Sequence, residues 1–240
     1  MTRLTTTQTE FIDSVLRLKP LVAAFDCDGT LWSGDAGEGF FTWELEPARS
    51  LVPESIARWI RPRHADYEAG QIAEEVMCGE IVTMHRGLRE EVVQQACDAY
   101  FSQAISAGIF PEMRELVRRL LDSGCDVWAV SSSSQWIIRS GMRFFGIPQN
   151  RILATETAVE NGIITDRLIR VPSGPGKPEA IREVISGALD CAFGNSIWDR
   201  EMLDMAKHPF AINPKPNLKE IALAKGWRVY QPDARSSGRH

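Results

Sequence analysis

The hydrophobic pattern changes character twice along the chain. Residues 21–25, LVAAF, form a short, bounded apolar run without polar alternation, as expected of a strand buried on both faces of a parallel sheet. From about residue 36 to 106 this signal disappears. Apolar positions there recur at helical spacing, in GEGFFTWEL, ESIARWI, QIAEEVMCGEIVTMHRG and REEVVQQACDAYFSQAI. From Pro111 the two textures alternate. Helix PEMRELVRRLLDSG ends on Gly124 and is followed by strand CDVWAVS, helix SQWIIRSGMRFFG and a hairpin, RILATETAVENGIITDRLI, turning at Asn161-Gly162. Helix KPEAIREVIS, strand DCAFGN, helix IWDREMLDMA, strand FAINP, helix NLKEIALAKG and strand WRVYQ complete the chain.

Strands alternating with helices specify an α/β fold with a doubly wound, mostly parallel sheet. The all-helical stretch then reads as a small cap inserted after the first strand, with residues 36–106 forming the cap and residues 1–35 and 107–240 the core. A chain of 240 residues, 44% hydrophobic, is long enough for one large core or a medium core with a satellite. Its net charge of −5 argues against a nucleic-acid surface, which needs clustered Lys and Arg, so a small partner is expected. Five scattered cysteines without CxxC spacing read as reduced core residues. No window reaches the length of a membrane span and the first twenty residues carry no signal-peptide pattern, so a cytoplasmic location is expected. The polar end DARSSGRH is expected to fray, and no heptad or exposed apolar run indicates an oligomeric state.

The chemistry concentrates where strands end. Directly after LVAAF comes DCDGT, placing Asp26 and Asp28 at the carboxyl edge of the sheet, where open α/β sheets bind ligands. A turn needs only one of these acids, and two crowded carboxylates imply a cation or a reaction. A calcium loop of the EF-hand type is excluded, because its fifth, sixth and twelfth positions hold Thr30, Leu31 and Gly37. Three further clusters fall at later strand ends. Ser131 follows DVWAV, and the backbone N–H groups behind it suit an anion, while Ser133 or Ser134 is expected to cap the next helix. Lys177 opens a helix against the macrodipole, a conflict that an anion in front of it removes, although an ordinary surface lysine also fits. Asn195 ends a buried strand, with Asp199 in the first turn beyond.

In order, these residues resemble the four motifs of the haloacid dehalogenase superfamily, and of its phosphoserine phosphatase-like branch in particular: D26-C-D28-G-T30, Ser131, Lys177 and G194-N195-S-I-W-D199. The resemblance spans about residues 20–215 and implies a HAD-like Rossmannoid core. It implies an Mg²⁺-dependent phosphatase acting on a small phosphorylated metabolite. Asp26 is then the nucleophile that forms an aspartyl-phosphate, and Asp28 the general acid and base. Ser131, Ser132 and Lys177 bind phosphoryl oxygens, and Gly29 and Thr30 shape the turn. Asp26, the main-chain carbonyl of Asp28, Asn195 and Asp199 hold the metal. Asn195 departs from the family pattern, which places an aspartate there, and that departure keeps two alternatives open: a metal-free haloacid dehalogenase-type hydrolase, and a non-catalytic phosphate-binding relative.

Specificity is expected from the cap. Asp35, nine residues after the nucleophile, matches the position where phosphoserine phosphatase-like proteins present an acid to the substrate's amino group, and Glu38 lies one turn on. Arg58, Arg61, Arg63, Arg86 and Arg89 offer partners for a substrate carboxylate, and Trp32 and Trp198 flank the first and last motifs as pocket-lining candidates.

Overall fold

The described strands pair into one seven-stranded sheet of order β4-β3-β2-β1-β5-β6-β7. In this computed structural model, which describes residues 4–49 and 51–232, they are β1 (Val22–Phe25), β2 (Asp126–Ser134), β3 (Ile152–Glu160), β4 (Ile163–Arg170), β5 (Cys191–Gly194), β6 (His208–Ile212) and β7 (Arg228–Tyr230). Every pair is parallel except β3 and β4. Those two form the expected hairpin, whose turn needs positive φ at both central residues and finds it at Asn161 (50°) and Gly162 (77°). The DARSSGRH end lies outside the described residues.

Alternation along the strands divides the interior into two layers. Ala23, Phe25, Val127, Ala129, Cys191, Phe193 and Phe210 face helices α1 (Thr6–Leu16), α6 (Pro111–Asp122) and α7 (Gln135–Met142). Ala24, Trp128, Val130, Ala192 and Ala211 face α8 (Gly176–Val184), α9 (Arg200–Met205) and α10 (Pro216–Ala224). Phe193 is central to the first layer, its buried ring stacked 4.1 Å from Phe25 and 4.8 Å from Phe210.

Between β1 and α6 the chain forms α2 (Ala36–Glu44), α3 (Glu54–Glu68), α4 (Glu74–Thr83) and α5 (Glu90–Tyr100). Phe41, Leu45, Ala57, Ile60, Met77 and Met84 form a satellite core of their own. Phe40, Val93, Cys97 and Phe101 join the main core instead, so these helices are anchored to the sheet layer as well as to one another. All five cysteines are free, four of them buried. No described helix is long and apolar enough to cross a membrane.

Four elements differ from the pattern reading. Helix α1 has a narrow apolar stripe that is easily missed, but its start is marked by a capping box between Thr5 and Gln8. Helix α3 runs through Pro62 to Glu68, with Pro62 on its exposed face, so the break expected at a proline does not occur. Strand β2 continues through all four serines to Ser134, held by the register of Ser134 with Thr155 and by the Thr155 hydroxyl on the Ser132 carbonyl at 2.6 Å. Ser134 sits at the N-cap of α7 without a side-chain capping bond, so neither Ser133 nor Ser134 caps as expected.

Replacing Phe193 by Ala removes the central ring of this stack, and the expected cost is about 3–5 kcal/mol in denaturant unfolding. A loss below about 1 kcal/mol would place the core elsewhere.

Candidate active site

Strand β1 delivers Asp26 and Asp28 to the carboxyl edge of the sheet, at the mouth of a pocket roofed by α2 and α4. Asp26 is buried; its Oδ1 accepts from Lys177 Nζ at 2.7 Å and its Oδ2 from the Thr30 hydroxyl at 2.8 Å. Lys177 is no surface lysine. At 1% exposure its ammonium also donates to Asp199 Oδ1 at 2.5 Å and to the Val130 carbonyl at 3.1 Å. The other oxygen of Asp199 accepts from the backbone N–H groups of Asn195 and Ser196, both at 2.9 Å. One buried cation thus joins the ends of β1, β2 and β5 to the start of α8.

Asp28 stands apart from this triad and is held by the roof. Its Oδ1 accepts from Trp32 Nε1 at 2.9 Å and from the Ala36 N–H at 2.6 Å, and its Oδ2 from the Ser133 hydroxyl at 2.7 Å. Trp32 therefore acts from inside the core, fully buried, and does not line the pocket; Trp198 does. The Ser133 hydroxyl that was expected to cap a helix serves Asp28 instead.

Gly29 turns the chain at φ +75°, and a Cβ there would lie 1.8 Å from Asn195 Nδ2. The close approach that Gly29 permits is what lets the Asn195 side chain lie against the first motif. Ser131 is buried, and its hydroxyl accepts from the Ser133 N–H at 3.1 Å; Ser131 and Ser132 both line the pocket.

Residues 23–204 match the haloacid dehalogenase-like hydrolase family. This chain belongs to that family. It is 29% identical over 218 residues to an inhibition of morphological differentiation protein of Streptomyces azureus, covering 86% of this chain and 76% of that one. It is 27% identical over 217 residues to a probable phosphatase of Mycobacterium tuberculosis, covering 86% and 74%. A solved structure of phosphoserine phosphatase, described as a phospho-aspartyl intermediate analogue, superposes with TM-score 0.58 at 17% identity over 88% of this chain and 93% of that chain, and shares the fold. As a haloacid dehalogenase-like hydrolase, the chain brings residues of all four motifs, Asp26, Asp28, Ser131, Lys177 and Asn195, to one pocket.

The electrostatics of this hydrolase site separate its two leading acids. Burial, reinforced by the neighbouring Asp199 carboxylate, raises Asp26 to about 6 against the pull of Lys177 and Thr30. Burial and the nearby Asp35 push Asp28 up to about 8, although the Ala36 N–H and the Ser133 hydroxyl both favour its charged form. Burial thus favours a proton on Asp28 more strongly than on Asp26. Burial opposes the charge of Lys177, but Asp199 and Asp26 outweigh it and raise its pKa.

Both cap acids singled out from the sequence line the pocket. Asp35 caps α2, its Oδ1 accepting from the Glu38 N–H at 2.9 Å, and Glu38 Oε2 lies 2.8 Å from His64 Nε2. None of the five arginines reaches it. Arg58 pairs with Glu54, Arg63 with Glu80 and Arg86 with Asp166, Arg61 binds the Leu45 carbonyl, and Arg89 lies outside the pocket wall. Sequence reasoning missed Glu44, Glu74 and His85, which also line the pocket. Glu44 and His85 are fully buried, with Oε2 and Nε2 2.7 Å apart. A glutamate at the end of a helix of otherwise apolar buried positions, and a histidine after another, were the available signals.

Burial opposes a charge on His85, but the Glu44 carboxylate overrides it and raises the histidine's pKa. A raised folded pKa gives stability that is fully present below the unfolded value of about 6.5 and lost as pH climbs through the folded one. His85→Asn is therefore expected to destabilise the protein more at pH 6 than at pH 9.5, in denaturant melts at both values. Equal losses at the two pH values would contradict a charged pair.

Proposed function

We propose that this protein is an Mg²⁺-dependent phosphatase that hydrolyses a small phosphorylated metabolite through an aspartyl-phosphate on Asp26. The observation that carries the reading is the placement of two acids at the end of β1: Asp26, fixed by Lys177 and Thr30, beside Asp28, held separately by Trp32, Ala36 and Ser133. The family relationship and the phosphatase among the relatives support it.

In the first step an Asp26 oxygen attacks phosphorus, the bond to the leaving alcohol oxygen breaks, and the Asp28 carboxyl gives that oxygen its proton. In the second, the ionised Asp28 takes a proton from water, whose oxygen attacks phosphorus and releases Asp26. Lys177, Ser131 and Ser132 hold phosphoryl oxygens through both steps, and Gly29 and Thr30 keep the turn that aligns them. Residues 36–106 act as the cap that excludes bulk water.

The donors at hand suit Mg²⁺. Among the described residues no cluster of three or more His, Cys, Asp or Glu forms a metal cage. Mg²⁺ does not need one, since it is commonly held by one or two protein oxygens with phosphate and water completing the shell. Asp26, the Asp28 main-chain carbonyl and the Asn195 amide oxygen would hold it. Asp199, whose oxygens also accept from Lys177 and from the Asn195 and Ser196 N–H groups, would join them while fixing Lys177 and the Asn195 loop. The ion supplies charge neutralisation between the nucleophile and the phosphate dianion.

Hydrolysis of an aryl phosphate is expected with Mg²⁺, is expected to stop with chelator, and is expected to fall about 10⁴-fold or more in Asp26→Asn. Chelator-resistant release of halide from a haloacid would instead support the metal-free alternative that Asn195 keeps open. A folded protein that binds phosphate without turning over would support the non-catalytic one.

A further inference from the structure

The cap side of the pocket carries four carboxylates, Asp35, Glu38, Glu44 and Glu74. Among the described residues from 36 to 106, no lysine or arginine lines the pocket. The partners of these acids are an N–H for Asp35, His64 for Glu38, His85 for Glu44, and the Ser173 hydroxyl for Glu74 at 2.6 Å. On the opposite side, Lys177 lies between Asp26 and Asp199, where the phosphoryl group is taken in the proposed mechanism, and Lys215 is exposed at the rim. A pocket meant for a substrate carboxylate would place a cation where these acids stand.

A second observation singles out one of them. Glu44 is completely buried, and His85 engages only its Oε2. Its Oε1 is buried without any hydrogen-bond partner. A buried carboxylate oxygen lacking a donor carries an uncompensated desolvation cost, which a donor arriving with the substrate removes. Glu44 lies on the pocket wall, and its acceptor is set by His85, which keeps the other oxygen occupied and the side chain in place.

We infer that the substrate is the phosphate ester of an alcohol bearing a protonated nitrogen and no carboxylate, and that Glu44 Oε1 accepts a hydrogen bond from that nitrogen. This rests on the phosphatase reading above. The surrounding acids supply the field that attracts the cation, and Glu44 supplies the directed contact. A carboxylate on the same substrate would face Asp35, Glu38 and Glu74 with only Lys215, at the exposed rim, to oppose them, since His85 is already paired with Glu44, so an amino-acid phosphate is disfavoured against the matching amino-alcohol phosphate.

The test is a comparison of kcat/KM at one pH and Mg²⁺ concentration for O-phosphoethanolamine, O-phosphoserine, glycerol phosphate and an aryl phosphate. The amino-alcohol ester is expected to exceed both phosphoserine and glycerol phosphate by about tenfold or more. In Glu44→Gln, which keeps shape and removes charge, its advantage over glycerol phosphate is expected to shrink by about tenfold, chiefly through KM. Turnover of the aryl phosphate together with a preference for phosphoserine or glycerol phosphate overturns this inference and leaves the phosphatase reading standing. Failure on every ester overturns both. An unaltered preference in a folded Glu44→Gln removes Glu44 from the account.

Discussion

The Lys177 ammonium, buried between the Asp26 and Asp199 carboxylates, is the interaction on which the rest of the site depends. Removing one partner from such a group leaves an uncompensated charge in a medium that solvates it poorly, which is far costlier than losing a surface pair. Lys177 also donates to the carbonyl of Val130, so the ends of β1 and β2 and the loop after β5 are fixed to one nitrogen. The triad carries two negative charges against one positive, and burial together with Asp199 raises Asp26 to about 6 despite Lys177. An arrangement one positive charge short is suited to receiving a metal ion.

Asp28 is kept chemically distinct by structure outside the triad. It is only two residues from Asp26, yet its oxygens are bonded by Trp32, Ala36 and Ser133, which belong to the loop after β1, the start of α2 and the end of β2. The beginning of the helical insertion is therefore tied directly to the acid to which the proposed mechanism assigns both proton transfers. Any shift of α2 alters the environment of Asp28 as well as the shape of the pocket.

Much of this was legible in the sequence. The strands after β1, the hairpin turn and the helical insertion follow from periodicity, and the convergence of Asp26, Ser131, Lys177, Asn195 and Asp199 follows from their placement at strand ends. What escaped was set by contacts far apart in the chain. Ser133 serves Asp28 across 105 residues, Glu44 meets His85 across 41, and β2 runs through its serines because β3 pairs with them. A helical pattern marks Glu44 and His85 only as polar residues near helix ends, and tertiary packing alone shows that they are buried together. The arginines illustrate the converse, since their chemistry suits a carboxylate but packing sends them elsewhere.

The central claim is that Asp26 carries the phosphoryl group. The most direct test is to quench the protein in acid during turnover of a phosphate ester, reduce with borohydride and map the modified peptide. The account predicts homoserine at position 26, dependent on substrate and on Mg²⁺. Modification at any other residue, under conditions where phosphate is being released, would contradict it.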